Sequence, residues 1–242
     1  APSQTLSQQE IDLLFSGGEP APPPQRQQKV DVQVYDFRRP NLISKERLRT
    51  LESMYGLLSK SMEGWLAARV RGQVELQLEG VEQLSFGEFV LSLPNPCSSF
   101  VYGIEQSSQQ AVIDFGRELA FFLVDRLLGS NGPAFVPDRV LTPLERMIVR
   151  IAADRVAELL QETWQDHVPL TLKLSRFESM PDMLQAANRE DTVLVATAIA
   201  RFAGTASPLL LCLPFALLEK YFSTSGFQRA RPARDNSPER LL

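Results

Sequence analysis

Residues 142–164, TPLERMIVRIAADRVAELLQETW, hold the reading on which the fold turns. Thr142 is placed as N-cap, Pro143 as the first helical residue and Glu145 as the third, so the hydroxyl and the carboxylate can cap each other's backbone N–H groups. Met147, Ile148, Ile151, Leu159 and Leu160 supply an apolar stripe at helical spacing, and the helix runs into Trp164. Val168, Leu170, Leu172 and Leu174 then alternate with polar residues, which predicts a strand. Apolar runs at Thr192–Ile199 and Leu209–Leu213 predict further strands, and a short helix follows from Phe215 to Phe222.

The N-terminal half carries the same order. Ser44 is a candidate N-cap for a helix with Leu48, Leu51, Tyr55, Leu58, Met62 and Trp65 on one stripe. Val74, Leu76 and Leu78 alternate, β-type runs lie at Phe86–Leu93, Ser99–Ile104 and Ala111–Phe115, and a helix spans Glu118–Leu128 before Gly129. From Ser44 to Thr142 the unit of helix, strands and helix recurs after roughly 100 residues. The repeat predicts an α/β domain of the α+β type. Two pseudo-twofold halves, about 34–132 and 138–223, share an antiparallel or mixed central sheet with the long helices packed on it. Period-2 strands predict one wetter sheet face.

Outside 34–223 the patterning is different. Residues 1–33 read as a tail holding one short helix, and residues 224–242 read as a linker. In the tail, Ser7 is a candidate N-cap with Glu10 three residues on, and Leu6 and Ile11 are placed as a hydrophobic staple. Ile11, Leu14 and Phe15 share one face, and Gly17-Gly18 stops the helix. The stretch Glu19-Pro20-Ala21-Pro22-Pro23-Pro24 is an extended tether. A helix this short is marginal alone in water, so its stripe is suited to a partner's groove.

Composition narrows the function. The chain has 242 residues, 44% of them hydrophobic and 22% charged, enough for a substantial core. A net charge of −4 leaves no basic footprint for nucleic acid. No apolar run approaches membrane-spanning length, and no signal segment opens the chain. Cys97 and Cys212 form no CxxC, and Cys212, inside an apolar run, reads as a core thiol, which fits a reduced cytoplasmic protein. His167 has no second histidine or cysteine beside it and reads as a capping or surface residue, so no metal site is expected. Arg38, Arg39, Lys45, Arg47 and Arg49 read as a solvated positive face at the domain entrance.

Three motifs in order, Leu6-Ser7-Gln8-Gln9-Glu10-Ile11-Asp12, Val34-Tyr35-Asp36-Phe37-Arg38-Arg39-Pro40 and Gly87-Glu88-Phe89-Val90-Leu91-Ser92-Leu93-Pro94-Asn95-Pro96, resemble the FliM family of flagellar motor switch proteins. The resemblance covers residues 6–15 and nearly all of 34–223. It implies a CheC-like middle domain that assembles laterally in the cytoplasmic ring of the rotor, at the inner face of the cell membrane in the basal body. It also implies capture of phosphorylated CheY by the N-terminal peptide and binding of FliG by the middle domain. A further C-terminal domain of the family, which joins FliN or its equivalent, is expected to be absent from this sequence, which ends in linker at Leu242.

Residue roles follow from the same resemblance. Ile11, Leu14 and Phe15 would fill a groove on CheY, Leu6 would support them, Ser7 and Gln8 would belong to the bound peptide, and Glu10 and Asp12 would make rim contacts. Three such apolar side chains contribute about 5–9 kcal/mol gross, before ordering and association costs. Micromolar or weaker binding of the isolated peptide is the consequence. The turn Gly129-Ser130-Asn131-Gly132-Pro133 stands where the family uses Gly-Gly-x-Gly to contact FliG, with Ser130 at the second glycine. If that position required positive φ, serine would be strained there.

The alternative within this fold is a response-regulator phosphatase or a chemotaxis signalling adaptor. CheC-type phosphatases place an acidic residue and, three positions later, an asparagine on the first helix of each half. Here Glu145 is followed by Ile148 and Glu46 by Arg49. Ile148 cannot orient a water. The resemblance and the residues together predict a non-enzymatic protein without catalytic residues or cofactor.

Overall fold

The computed structural model describes residues 43–70, 72–132 and 135–223, with side chains described as far as Glu219. The expected N-terminal helix, the tether, the motif from Val34 to Pro40 with Arg38-Arg39, Pro133 of the glycine turn and the segment 224–242 lie outside the described residues.

Helix α1 (Lys45–Val70) is entered at Ser44, whose hydroxyl accepts from the Arg47 N–H. Strand β1 (Val74–Ser85), helix α2 (Phe86–Ser92), strands β2 (Ser99–Ile104) and β3 (Gln110–Phe115) and helix α3 (Arg117–Leu127) complete the first half. The second half holds α4 (Pro143–Trp164), β4 (Leu172–Glu178), a 3₁₀ turn at Pro181–Met183, β5 (Thr192–Phe202), β6 (Thr205–Pro214) and α5 (Phe215–Ser223).

The six strands form one sheet in the order β1-β5-β6-β3-β2-β4, and each neighbouring pair is antiparallel. Exchanging β1 with β4, β2 with β5 and β3 with β6 turns that order into its own reverse, so the sheet has the pseudo-twofold symmetry expected from the repeat. Each half lends its first strand to the other: β1 pairs with β5, and β4 with β2. Side chains repeat the symmetry. Glu63 of α1 accepts the Leu76 N–H at 2.7 Å, and Gln161 of α4 accepts the Leu172 N–H at 2.9 Å, each tying a long helix to the strand that follows it.

Three sequence expectations are corrected. The run Phe86–Leu93 is not a strand but contains α2, because Ser85 and Glu88 form a capping box and Phe86, Phe89 and Val90 bury at helical spacing. Val168 and Leu170 are buried but precede the strand. The Val168 N–H closes the end of α4 on the Trp164 carbonyl, the Thr171 N–H goes to the Gln106 side chain, and the ladder starts at Leu172. On α4, Met147 and Ile151 are 68% and 52% exposed. The face that packs inward is Val149, Ala152, Ala153, Val156, Ala157, Leu159 and Leu160, so the expected Leu159 and Leu160 are buried, and the three alanines permit close approach.

The wetter sheet face is confined to the outer strands. In β1, buried and exposed positions alternate, whereas β2, β3 and the second half of β6 are buried on both faces. The long helices cover one face over a large core. On the other face α2 and Leu184 close a smaller core around Val101, Val112, Val193, Val195 and Cys212.

Candidate functional site

Helix α3 presents the turn between the two halves. Gly116 begins it without a side-chain cap. Its first turn is capped from a distance by Ser207 of β6, whose hydroxyl accepts the Leu119 N–H at 3.2 Å. Gly116 also passes so close to β6 that an added Cβ would sit 2.3 Å from Ser207 Oγ and 2.7 Å from Pro208 Cδ. The helix is therefore pinned to the sheet at its start, and its own Leu119, Ala120, Phe122 and Leu123 are buried.

Its end is a Schellman closure. The Gly129 N–H donates to the Arg126 carbonyl and the Ser130 N–H to the Asp125 carbonyl, both at 3.0 Å, with Gly129 at φ +93° where a Cβ would be strained. Ser130 avoids the expected cost: among the described residues Ala203 is the only non-glycine with positive φ. Its hydroxyl instead accepts the Gly132 N–H at 3.3 Å. Arg126 donates from Nη1 to the Ser130 carbonyl at 2.7 Å and from Nη2 to the Gly132 carbonyl at 2.8 Å. The structure thus brings Gly129, Ser130, Asn131 and Gly132 into one compact turn, in which Gly129, Asn131 and Gly132 are exposed. Arg126 was not singled out from the sequence, where one arginine in the last turn of a helix has no distinguishing signal.

The surface after the turn is apolar in places. Leu128 and Phe135 are exposed, and Leu144, Met147 and Ile151 line the outer side of α4 at i, i+3 and i+7. Such a stripe on a helix is suited to a protein partner.

Glu145 is committed to structure. Its carboxylate accepts the Thr142 N–H at 2.7 Å and both guanidinium nitrogens of Arg139 at 2.7 Å. Those bonds from Arg139 hold its pKa down at about 2. Ile148, three residues on, packs against the core. His167 lies edge-on to Trp164, and Cys97 and Cys212 are both buried free thiols. Among the described residues no group of three or more His, Cys, Asp or Glu side chains is placed to hold a metal, and no helix is long and apolar enough to cross a membrane.

A pseudo-twofold α/β domain with an exposed glycine turn between its halves is the class these features define. The model of the flagellar motor switch protein FliM family matches residues 44–227, and the chain belongs to that family. It is 29% identical over 233 residues to the flagellar motor switch protein FliM of Treponema pallidum, covering 93% of this chain and 67% of that one. The FliM of Borreliella burgdorferi is 28% identical, with 81% of this chain and 56% of that one covered. The chain thus spans between about half and two thirds of the length of these relatives. Among solved structures, the FliG-FliM complex from H. pylori aligns with a TM-score of 0.70 at 25% identity, covering 75% of this chain and all of that one. The FliM middle domain from H. pylori gives 0.67 at 24% identity, covering 75% of this chain and 99% of that one.

Proposed function

We propose that this chain is a non-enzymatic adaptor of the flagellar rotor, which senses phosphorylated CheY and passes the event to FliG to set the direction of rotation. The observation that carries the reading is the turn 129–132, hydrogen-bonded to Arg126 and outward-facing, which the resemblance aligns with the glycine motif that the family uses toward FliG. The related chain from H. pylori was crystallised as a FliG-FliM complex, which supports FliG as the partner.

In this reading residues 34–223 are the working domain, flanked by a tether at 1–33 and a linker at 224–242. Leu6, Ser7, Gln8, Glu10, Ile11, Asp12, Leu14 and Phe15 capture phosphorylated CheY. A weak peptide suits a switch that must release as phosphorylation decays, and many tethered copies raise its effective concentration. Lateral self-association in a cytoplasmic ring, at the inner face of the membrane, draws on the exposed stripe of Leu144, Met147 and Ile151. FliN or its equivalent is engaged through a further domain of the family. Occupation of Glu145 by Arg139 and Thr142, and the aliphatic side chain at Ile148, support the non-enzymatic reading over a phosphatase.

Two binding measurements test the proposal. In fluorescence anisotropy a peptide of residues 1–18 is expected to bind phosphorylated CheY more tightly than the unphosphorylated form; equal affinities would remove the sensor role. In calorimetry Gly132→Trp is expected to weaken binding of the full chain to FliG, and unchanged affinity would move the docking site elsewhere. Stoichiometric acceleration of phosphate release from phosphorylated CheY would reinstate the phosphatase.

A further inference from the structure

We infer that Arg126 is a positioning residue for the turn, its guanidinium holding the Ser130 and Gly132 carbonyls so that the turn meets its protein partner already shaped. The inference rests on the reading that this turn docks on FliG and adds to it how the docking geometry is made.

The Schellman closure fixes the chain only as far as Ser130, since its two hydrogen bonds end at the Gly129 and Ser130 N–H groups. Asn131 and Gly132 lie beyond it, exposed, and have no apolar side chain to bury. What holds them is the Ser130 hydroxyl on the Gly132 N–H, at 3.3 Å, and the two shorter bonds from Arg126. One planar fork reaches two carbonyls two residues apart; a lysine ammonium has no such fixed pair of donors. The guanidinium lies over the Phe122 ring at 5.3 Å, and Phe122 stacks on Phe202 of β5 with centroids 4.2 Å apart. The clamp is therefore referenced to the sheet and not merely to the helix end. A cation is also favoured there by the partial negative charge of the α3 C-terminus.

The clamp also decides which side of the turn is offered. In a trans peptide the C=O and the next N–H point in opposite directions. With the Ser130 carbonyl turned onto Arg126, the Asn131 N–H points away from it. That N–H and the exposed Asn131 amide form a donor-bearing outer face, suited to a carbonyl or carboxylate on the partner. Without Arg126 the Asn131 and Gly132 backbone must be ordered at the moment of binding. Part of the backbone freedom of those two residues is then lost on binding, about a tenfold to hundredfold loss of affinity.

The test uses the full chain with FliG in calorimetry, amide hydrogen exchange at Asn131 and Gly132, and thermal melting. Arg126→Met is expected to weaken FliG binding about tenfold to a hundredfold, with faster exchange at both amides and a melting temperature within a few degrees of the parent; Arg126→Lys should recover part of the affinity. Parental affinity in Arg126→Met, beside lost binding in Gly132→Trp, would overturn the inference while leaving the docking site in place. Parental affinity in both would remove the docking site, and the inference with it. If Arg126→Met melts much earlier, the comparison passes to Arg126→Lys, where unchanged exchange and unchanged affinity would equally overturn the inference.

Discussion

Trp164 Nε1 donates to the Tyr55 hydroxyl at 3.3 Å, with the two rings edge to face and their centroids 6.4 Å apart. The contact joins α4 to α1 across the two halves of the domain, and both side chains are fully buried. Burial pushes the Tyr55 phenol well above its ordinary range, so it remains a neutral hydroxyl. Tyr55→Phe would leave the indole N–H buried without this acceptor. The expected cost is about 1–3 kcal/mol in urea denaturation, at unchanged m-value. A loss below 0.5 kcal/mol, on the same scale, would mean that water or another group replaces the hydroxyl.

Asp114 gives a dependence on pH. It is fully buried under the smaller core, accepts from Ser99 Oγ at 2.6 Å and the Ser98 N–H at 3.0 Å, and leaves Oδ1 without a partner. Burial raises its pKa from 3.8 to about 6. The folded state thus binds this proton more tightly than the unfolded chain does. The contribution of Asp114 is fully present below pH 3.8 and is lost as pH rises through about 6. Relative to Asp114→Asn, the parent should lose on the order of 3 kcal/mol between pH 4 and pH 7. A flat difference across that range, measured by denaturation at each pH, would show that the carboxylate is solvated.

Glu145 predicts the opposite slope. Its pKa is lowered to about 2, chiefly by hydrogen bonds from Arg139, so its contribution is present above the ordinary carboxylate value of 4.5 and is lost as pH falls toward 2. Glu145→Ala should cost about 1 kcal/mol at neutral pH through loss of the capping box. The gap between variant and parent should close on acidification. A gap independent of pH would locate the effect in packing.

Gly116 is fixed by proximity to β6. With Ser207 Oγ 2.3 Å and Pro208 Cδ 2.7 Å from the position of an added Cβ, Gly116→Ala must push α3 off the sheet. Destabilisation of about 2 kcal/mol or more is expected by differential scanning calorimetry. Ser207→Ala, which removes the distant cap of α3, should cost about 1 kcal/mol. A neutral Gly116→Ala would mean that β6 yields at this point.

Local chemistry was readable where one segment carried the whole signal. Thr142 and Glu145 announced α4, Ser44 announced α1, and Gly129 ended α3, because capping groups act within a few residues of themselves. The strand pairing was not readable. Nothing local marks β1 as the partner of β5, since that choice depends on which exposed edge the other half presents. The run Phe86–Leu93 misleads for a local reason: a dense apolar run suits a strand as well as a short helix, and the capping box of Ser85 and Glu88 decides between them.

The sequence by itself determined the two repeated units, their helix starts and the glycine turn between them, because each follows from contacts between near neighbours. Tertiary structure alone decided that the halves exchange their first strands, that Met147 and Ile151 face outward, and that Arg126 closes on the Ser130 and Gly132 carbonyls. Those outcomes depend on which surfaces meet after the chain has folded back on itself; apolar periodicity marks a face that will be buried without naming the surface that buries it.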